Sequence, residues 1–238
     1  MKITKLASAA YVLLSFSVLY AGENGFVADF ENAKPETALG VGPLAGWSQM
    51  GKATEGAITV SQPGYKSDNA LVIKRADAYA RHRSATPMWT AESGKGEFSV
   101  VFRITGRMND LNIILSQYGG SGFFVSIKPE SVVVSTGGDS VFTATTTTLD
   151  AVVGKDTWHV LKISGFQLDR TAAPDAVKAQ VFLYEADAPA NIVLDGVAIA
   201  AAGKAPVSAV NQIDIRRFGG AADIMWAEFD NFRLETAK

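Results

Sequence analysis

The chain has 238 residues, with 22 Lys and Arg against 24 Asp and Glu, and no cysteine. That composition excludes disulfides, thiolate metal sites, lipid attachment through cysteine and cysteine nucleophiles. The slight acidic excess argues against a nucleic-acid partner, which calls for a basic face.

The N-terminus is the basic stretch Met1-Lys2-Ile3-Thr4-Lys5, followed by an apolar run from Leu6 to Ala21 interrupted by Ser8, Ser15 and Ser17. A membrane span needs about 20 apolar residues. This shorter run between a basic start and small residues reads instead as a secretory signal peptide, 1–21, cleaved after Ala21. The expected mature chain, 22–238, has 238 − 21 = 217 residues, with 22 − 2 = 20 basic residues against 24 acidic. It is expected to be secreted or periplasmic, with no membrane span, and to fold as a single domain. All-β sandwiches of this length often do so.

Downstream, helical periodicity is missing and short β-rich runs dominate. Early strands are expected near Val27–Glu31, Ala57–Ser61, Ala70–Arg75 and Tyr79–Arg83. The clearest run is Glu97–Thr105, where Phe98, Val100, Phe102 and Ile104 fall on one parity, the period of a half-buried strand. Leu111–Tyr118, Phe123–Lys128, Val132–Ser135 and Val141–Thr146 follow, separated by glycine-rich turns, and read as a meander of hairpins. The threonine-rich 143–148 stretch suits a solvent-facing edge strand. Trp158–Ser164 and Val177–Glu185 come next. Asp195-Gly196 then predicts a tight hairpin between Ile192–Leu194 and Val197–Ala200. Gln212–Phe218 and Ile224–Leu234 close the chain. About a dozen short strands, with turns at roughly 8–12-residue spacing, predict a two-sheet antiparallel β-sandwich of the jelly-roll class.

Three segments carry a family resemblance: Asp29-Phe30-Glu31 with Gly46-Trp47-Ser48; Trp158-His159-Val160-Leu161-Lys162-Ile163 with Val193-Leu194-Asp195-Gly196; and Phe229-Asp230-Asn231-Phe232. In this order they resemble the concanavalin A-like lectin/glucanase superfamily, including laminin-G-like domains and jelly-roll carbohydrate-binding modules. The resemblance implies that the terminal F-D-N strand pairs beside the N-terminal D-F-E strand. It also implies that Trp47 and Trp158 sit in the core, and that Glu31 and Asp230 share a structural calcium. A fold of this kind does not fix a function.

The residues leave three functions open. The first is a non-catalytic module binding a polysaccharide or cell-surface glycan. Loop aromatics Trp89 and Tyr65 are its candidates for ring stacking, with Arg81 and Arg83 beside them. Near-neutral charge points to a neutral glycan, although Arg81, Arg83 and Arg103 could form a local basic patch. The second is a polysaccharide-degrading enzyme, a lyase before a hydrolase. In a lyase, Arg81 and Arg103 would neutralise a uronate while His82 and Tyr118 move the proton. The family's E-x-D-x-E and Q-x-H motifs are both missing, which favours binding without catalysis. The third is an envelope protein without a ligand. Calcium has its own motive, because Glu228 and Asp230 share parity with Phe232 and Leu234. Simple alternation would turn those acids into the core, where a carboxylate needs a cation or strong donors. A bulge would remove the conflict.

Overall fold

The computed structural model describes residues 25–37, 39–40, 44–51, 57–74, 78–105, 110–117, 122–128, 131–136, 139–145, 156–169, 176–202, 209–217 and 226–237. The signal-peptide segment, Tyr118 and 146–148 lie outside them.

Two large antiparallel sheets pack face to face. The eight-stranded sheet runs β14 (Ile192–Ala202), β13 (Ala176–Glu185), β12 (Trp158–Asp169), β7 (Gly96–Thr105), β17 (Trp226–Thr236), β4 (Ala70–Ile73) and β3 (Ile58–Ser61). An additional strand, β1 (Gly25–Ala28), pairs with β17. The seven-stranded sheet runs β11 (Asp139–Thr145), β10 (Ser131–Thr136), β9 (Gly122–Lys128), β8 (Leu111–Ser116), β16 (Gln212–Arg217), β5 (Ala78–Arg83) and β2 (Trp47–Gly51). A two-stranded ribbon of β6 (Trp89–Thr90) and β15 (Ala209–Val210) completes the fold. The jelly-roll sandwich expected from the alternation is therefore present. β8 to β11 form the expected meander, with β11 at the edge.

The core lies between the sheets. Phe98, Phe102, Phe229, Phe232 and Ile104 from one sheet meet Trp47, Ile113, Ile213 and Ile215 from the other. The F-D-N strand pairs with the N-terminal strand, Phe26 opposite Leu234 and Ala28 opposite Phe232. The D-F-E tripeptide lies just beyond that strand, in a turn where Phe30 takes a φ of 60°.

Two local expectations are corrected. Asp195-Gly196 is not a hairpin turn, because Ile192–Ala202 is one strand. Leu183 faces Leu194 and Val181 faces Val197, so Asp195 and Gly196 together oppose Phe182 as a bulge. Gly196 has a φ of 56°, and a Cβ there would stand 2.9 Å from the Phe182 ring. The left-handed geometry read as a turn instead lets that ring lie against the strand. The strand Trp47–Gly51 was not anticipated. Its sequence, Trp-Ser-Gln-Met-Gly, shows little alternation, and pairing with β5 organises it.

Candidate functional site

The parity conflict on the last strand is resolved by a bulge. Asp230 pairs opposite Val101 but Arg233 pairs opposite Ser99, leaving Asn231 and Phe232 against a single residue. Asn231 takes a φ of 50°, a conformation asparagine tolerates better than most residues. Before the bulge, Ala227 and Phe229 face the core; after it, Phe232 and Leu234 do. Glu228 and Asp230 therefore project from the outward face of the eight-stranded sheet, yet both are buried.

The loop following β3 buries Asp230. Gly64 lets it fold tightly, since a Cβ there would lie 2.1 Å from the Ser67 hydroxyl and 2.2 Å from the Asn69 carbonyl oxygen. One carboxylate oxygen of Asp230 accepts the Tyr65 N–H at 2.9 Å and the Ser67 hydroxyl; the other accepts the Asn231 N–H at 2.7 Å. Burial pushes the Asp230 pKa up to about 6, and the charge of Glu31 adds to the rise. The hydrogen bonds from Ser67, Asn231 and Tyr65 oppose it. Asp29, Glu31, Tyr65, Lys66, Ser67 and Asn231 line an open cavity of ≈ 390 Å³ here.

Calcium takes six to eight oxygen ligands. Carboxylates from Asp29 and Glu31 and the side-chain amide of Asn231 face this cavity and suit that ion by donor type. The oxygens of Asp230 are already engaged by three protein donors. Among the described residues, no three acidic or histidine side chains are grouped at metal-binding spacing. The bulge and these donors account for the buried acid without an ion, so the parity argument no longer calls for one.

The aromatic candidates separate. Trp89, expected on a binding rim, is 3% exposed. Its indole N–H donates to the Gly94 carbonyl at 3.0 Å and its ring meets Phe166 edge-on. Pairing of β6 with β15 draws the tryptophan inward, so it is a packing residue. Tyr65 is half-buried; its hydroxyl donates to the Ala186 carbonyl at 3.1 Å and its ring lies against Trp158. Trp158, expected in the core, instead lies on the outward face of the eight-stranded sheet, with Arg103 over its ring at 4.7 Å.

The lyase group is not assembled. His82 points into the core beside Phe26 and Trp47, where burial lowers its pKa to about 4. Arg81, its neighbour on the strand, points outward. Arg103 belongs to the other sheet, ion-paired with Glu228. Tyr118 lies outside the described residues. His159 is buried with Nδ1 at 2.9 Å from the Thr157 carbonyl oxygen, a packed histidine.

The outward face of the seven-stranded sheet holds a polar network the sequence reading did not single out. On β16, Ile213 and Ile215 enter the core, so Gln212, Asp214 and Arg216 face out. Register sets Arg83 opposite Gln212, Arg81 opposite Asp214 and Tyr79 opposite Arg216. Arg81 clamps Asp214 with two bonds, Nε to Oδ1 at 2.7 Å and Nη2 to Oδ2 at 3.0 Å. Arg216 adds a bond to Oδ2 at 2.9 Å and the Gln212 amide another at 3.2 Å. Arg83 in turn donates twice to the Gln212 side-chain carbonyl, at 3.2 and 2.9 Å. Arg81 and Arg216 both lie over the Tyr79 ring, at 5.4 and 4.8 Å. The strict alternation of Gln212-Ile213-Asp214-Ile215-Arg216 was the available signal. Gln212-Ile213-Asp214 also carries an aspartate where a Q-x-H strand would carry histidine, and guanidinium donors occupy both of its oxygens.

No family model matches the sequence, and no curated protein does. Among solved structures, the receptor-binding domain of botulinum neurotoxin D superposes with a TM-score of 0.53 at 9% identity, over 81% of this chain and 45% of that one. The binding domain of Paraclostridial Mosquitocidal Protein 1 gives 0.50 at 10% identity, over 85% and 48%. The chain shares the β-sandwich fold of these toxin binding domains. It spans less than half of their length. Lectin I-B4 from Griffonia simplicifolia, in its metal-free form, gives 0.47 at 11% identity, over 80% of this chain and 92% of that one.

Proposed function

We propose that the protein is an exported, non-catalytic module of the concanavalin A-like, laminin-G-like type that binds a polysaccharide or cell-surface glycan. The observation that carries the reading is the outward face of the seven-stranded sheet. It presents Tyr79, Asn112, Ser126 and the arginines from adjacent strands, a row of donors and acceptors suited to hydroxyl groups. The fold shared with receptor-binding and binding domains agrees with it. His82, the base a lyase would need, is turned away from that face.

The test is a pull-down on a panel of polysaccharides, run beside reducing-end and unsaturated-product assays. Binding without product is expected. Product formation would overturn the reading in favour of an enzyme, and failure to bind any member would leave the ligand-free envelope protein. Export is tested by mass spectrometry of secreted or periplasmic protein. An N-terminus at Gly22 is expected, and a full-length membrane-retained product would contradict it.

Calcium belongs to the same proposal. The cavity beside the chain's first and last strands offers Asp29, Glu31 and Asn231 as oxygen ligands, with the Asp230 charge behind them. An ion bound only to the folded state stabilises it by mass action. Chelation should then lower the melting temperature and added calcium restore it; an unchanged melt in chelator retires the ion.

A further inference from the structure

We infer that the outward face of the eight-stranded sheet carries a second sugar-binding position, where Phe182 and Tyr184 form a stacking platform for the pyranose rings of a neutral glycan. This rests on the glycan-binding reading above and adds a face to it. With a site on each side of the sandwich, one chain bridges two polysaccharide strands.

The platform comes from alternation on β13. Val181 and Leu183 enter the core, so Phe182 and Tyr184 point outward, ~7 Å apart along the strand. Both are half-buried, and each ring keeps part of its surface open to solvent. The 62–69 loop packs on Trp158 and reaches the Ala186 carbonyl through Tyr65, beyond the Tyr184 end of the platform.

The bulge at Asp195-Gly196 shapes the site. A Cβ on Gly196 would meet the Phe182 ring edge at 2.9 and 3.1 Å and stand 3.7 Å from the Gln180 amide nitrogen. The ring therefore leans across the glycine with that amide beside it. The bulge also leaves Asp195 exposed next to the ring. On the other side Lys162 pairs opposite Phe182, its ammonium held by Glu97 at 2.8 Å.

An aromatic ring bordered by an amide, a carboxylate and an ammonium matches a pyranose, which has an apolar C–H face and a rim of hydroxyls. The Gln180 amide donates and accepts, Asp195 accepts and Lys162 donates. Glu97 offsets the Lys162 charge while Asp195 stays negative, which favours an uncharged sugar over an acidic one. Size argues against a protein partner. Phe182, Tyr184 and the exposed Ile192 lie on two neighbouring strands, far short of the ~800 Å² that a stable protein interface takes from each side.

The experiment titrates the full mature chain calorimetrically with four neutral probes: cellohexaose, xylohexaose, mannohexaose and laminarihexaose. Two sites per chain are expected for the probe that binds. Phe182→Leu keeps an apolar side chain against Gly196 but removes the ring, and should leave one site; a thermal melt accompanies it. Phe182→Trp should keep both. Gln180→Ala changes an exposed residue and should weaken the second site about two- to tenfold, the scale of one net hydrogen bond. It keeps the test valid if Phe182→Leu fails to fold. The parent should also cloud a solution of the matching long polysaccharide by cross-linking it, and Phe182→Leu should not. One site per chain, indifferent to Phe182→Leu and Gln180→Ala, overturns the inference and leaves the module reading intact. So does retention in the pull-down with none of the four probes bound. One site lost in Phe182→Leu supports the platform and removes the seven-stranded face as the binding surface. A dimer that Phe182→Leu splits, seen by sedimentation, makes the patch a protein interface and overturns the inference. Binding to nothing overturns both readings.

Discussion

The two outward sheet faces solve the same problem in opposite ways. On the eight-stranded sheet, carboxylates are covered: the 62–69 loop lies over Asp230 and supplies its donors from the Tyr65 backbone and the Ser67 hydroxyl. On the seven-stranded sheet, a carboxylate is buried by the arginines that clamp it, and the clamping groups remain partly exposed. Neutral dipoles bury the charge of Asp230, while Glu228 on the same face is paired with Arg103. The other face buries a single negative charge beneath arginines that stay partly exposed. Alternation places the arginine network outward and the Asn231 bulge places Glu228 and Asp230 outward; what covers each set decides its chemistry.

That contrast can be broken from either side. The largest effect is expected at Asp214. Asp214→Ala removes the buried carboxylate on which the Arg81 and Arg216 guanidiniums are fixed and should cost about 3–5 kcal/mol in urea unfolding, the range for breaking a buried ion pair. A cost below about 1 kcal/mol would show the network to be solvent-screened like a surface pair. Trp89→Ala should cost a similar ~3–5 kcal/mol by opening a cavity against Phe166. It should leave glycan affinity unchanged, which separates packing from binding. Asp230→Ala leaves the Tyr65 N–H and Ser67 hydroxyl without their acceptor and should cost about 1–3 kcal/mol.

The smallest effect is a pH dependence, and it separates Asp230 from His82. The Asp230 pKa rises from 3.8 unfolded to about 6 folded, so between those values the folded state holds more protons. Its contribution to stability is therefore present at low pH and lost as pH rises from about 4 to 6. His82 runs the other way. Its pKa falls from 6.5 to about 4, so the unfolded state holds more protons in that window and stability is lost as pH falls through it. Asp230→Asn should remove the opposing slope and steepen the loss of stability below pH 6. Denaturant midpoints measured across pH 4 to 7 check this, and identical profiles for variant and parent would contradict it.

The sandwich was legible because its strands are long runs of period 2, as at Phe98 to Ile104 and Phe123 to Ile127, where burial on one face admits one register. The bulges were not legible. Asp195-Gly196 carries the residues of a hairpin turn, and only its pairing opposite Phe182 shows that the chain continues. Asn231 reverses the parity of the last strand in a single residue, which turns Asp230 from the core to the outward face of the sheet, where the 62–69 loop covers it. Trp89 and Trp158 exchanged roles because aromatic burial depends on neighbours far along the chain: β15 for Trp89, the 62–69 loop for Trp158. Arg81 and Arg83 were correctly placed on one face by spacing. Their partners Gln212 and Asp214 lie about 130 residues away, so only the fold brings the network together.

The most direct measurement of glycan binding at the seven-stranded sheet follows the arginine side-chain Nε–H signals by NMR while soluble oligosaccharides of a polysaccharide retained in the pull-down are added. The account predicts that Arg83 and Arg216 on the seven-stranded sheet shift and saturate together, while Arg103 on the eight-stranded sheet stays still. Shifts confined to Arg103 and the neighbouring Trp158 indole, or none on either face, would contradict it.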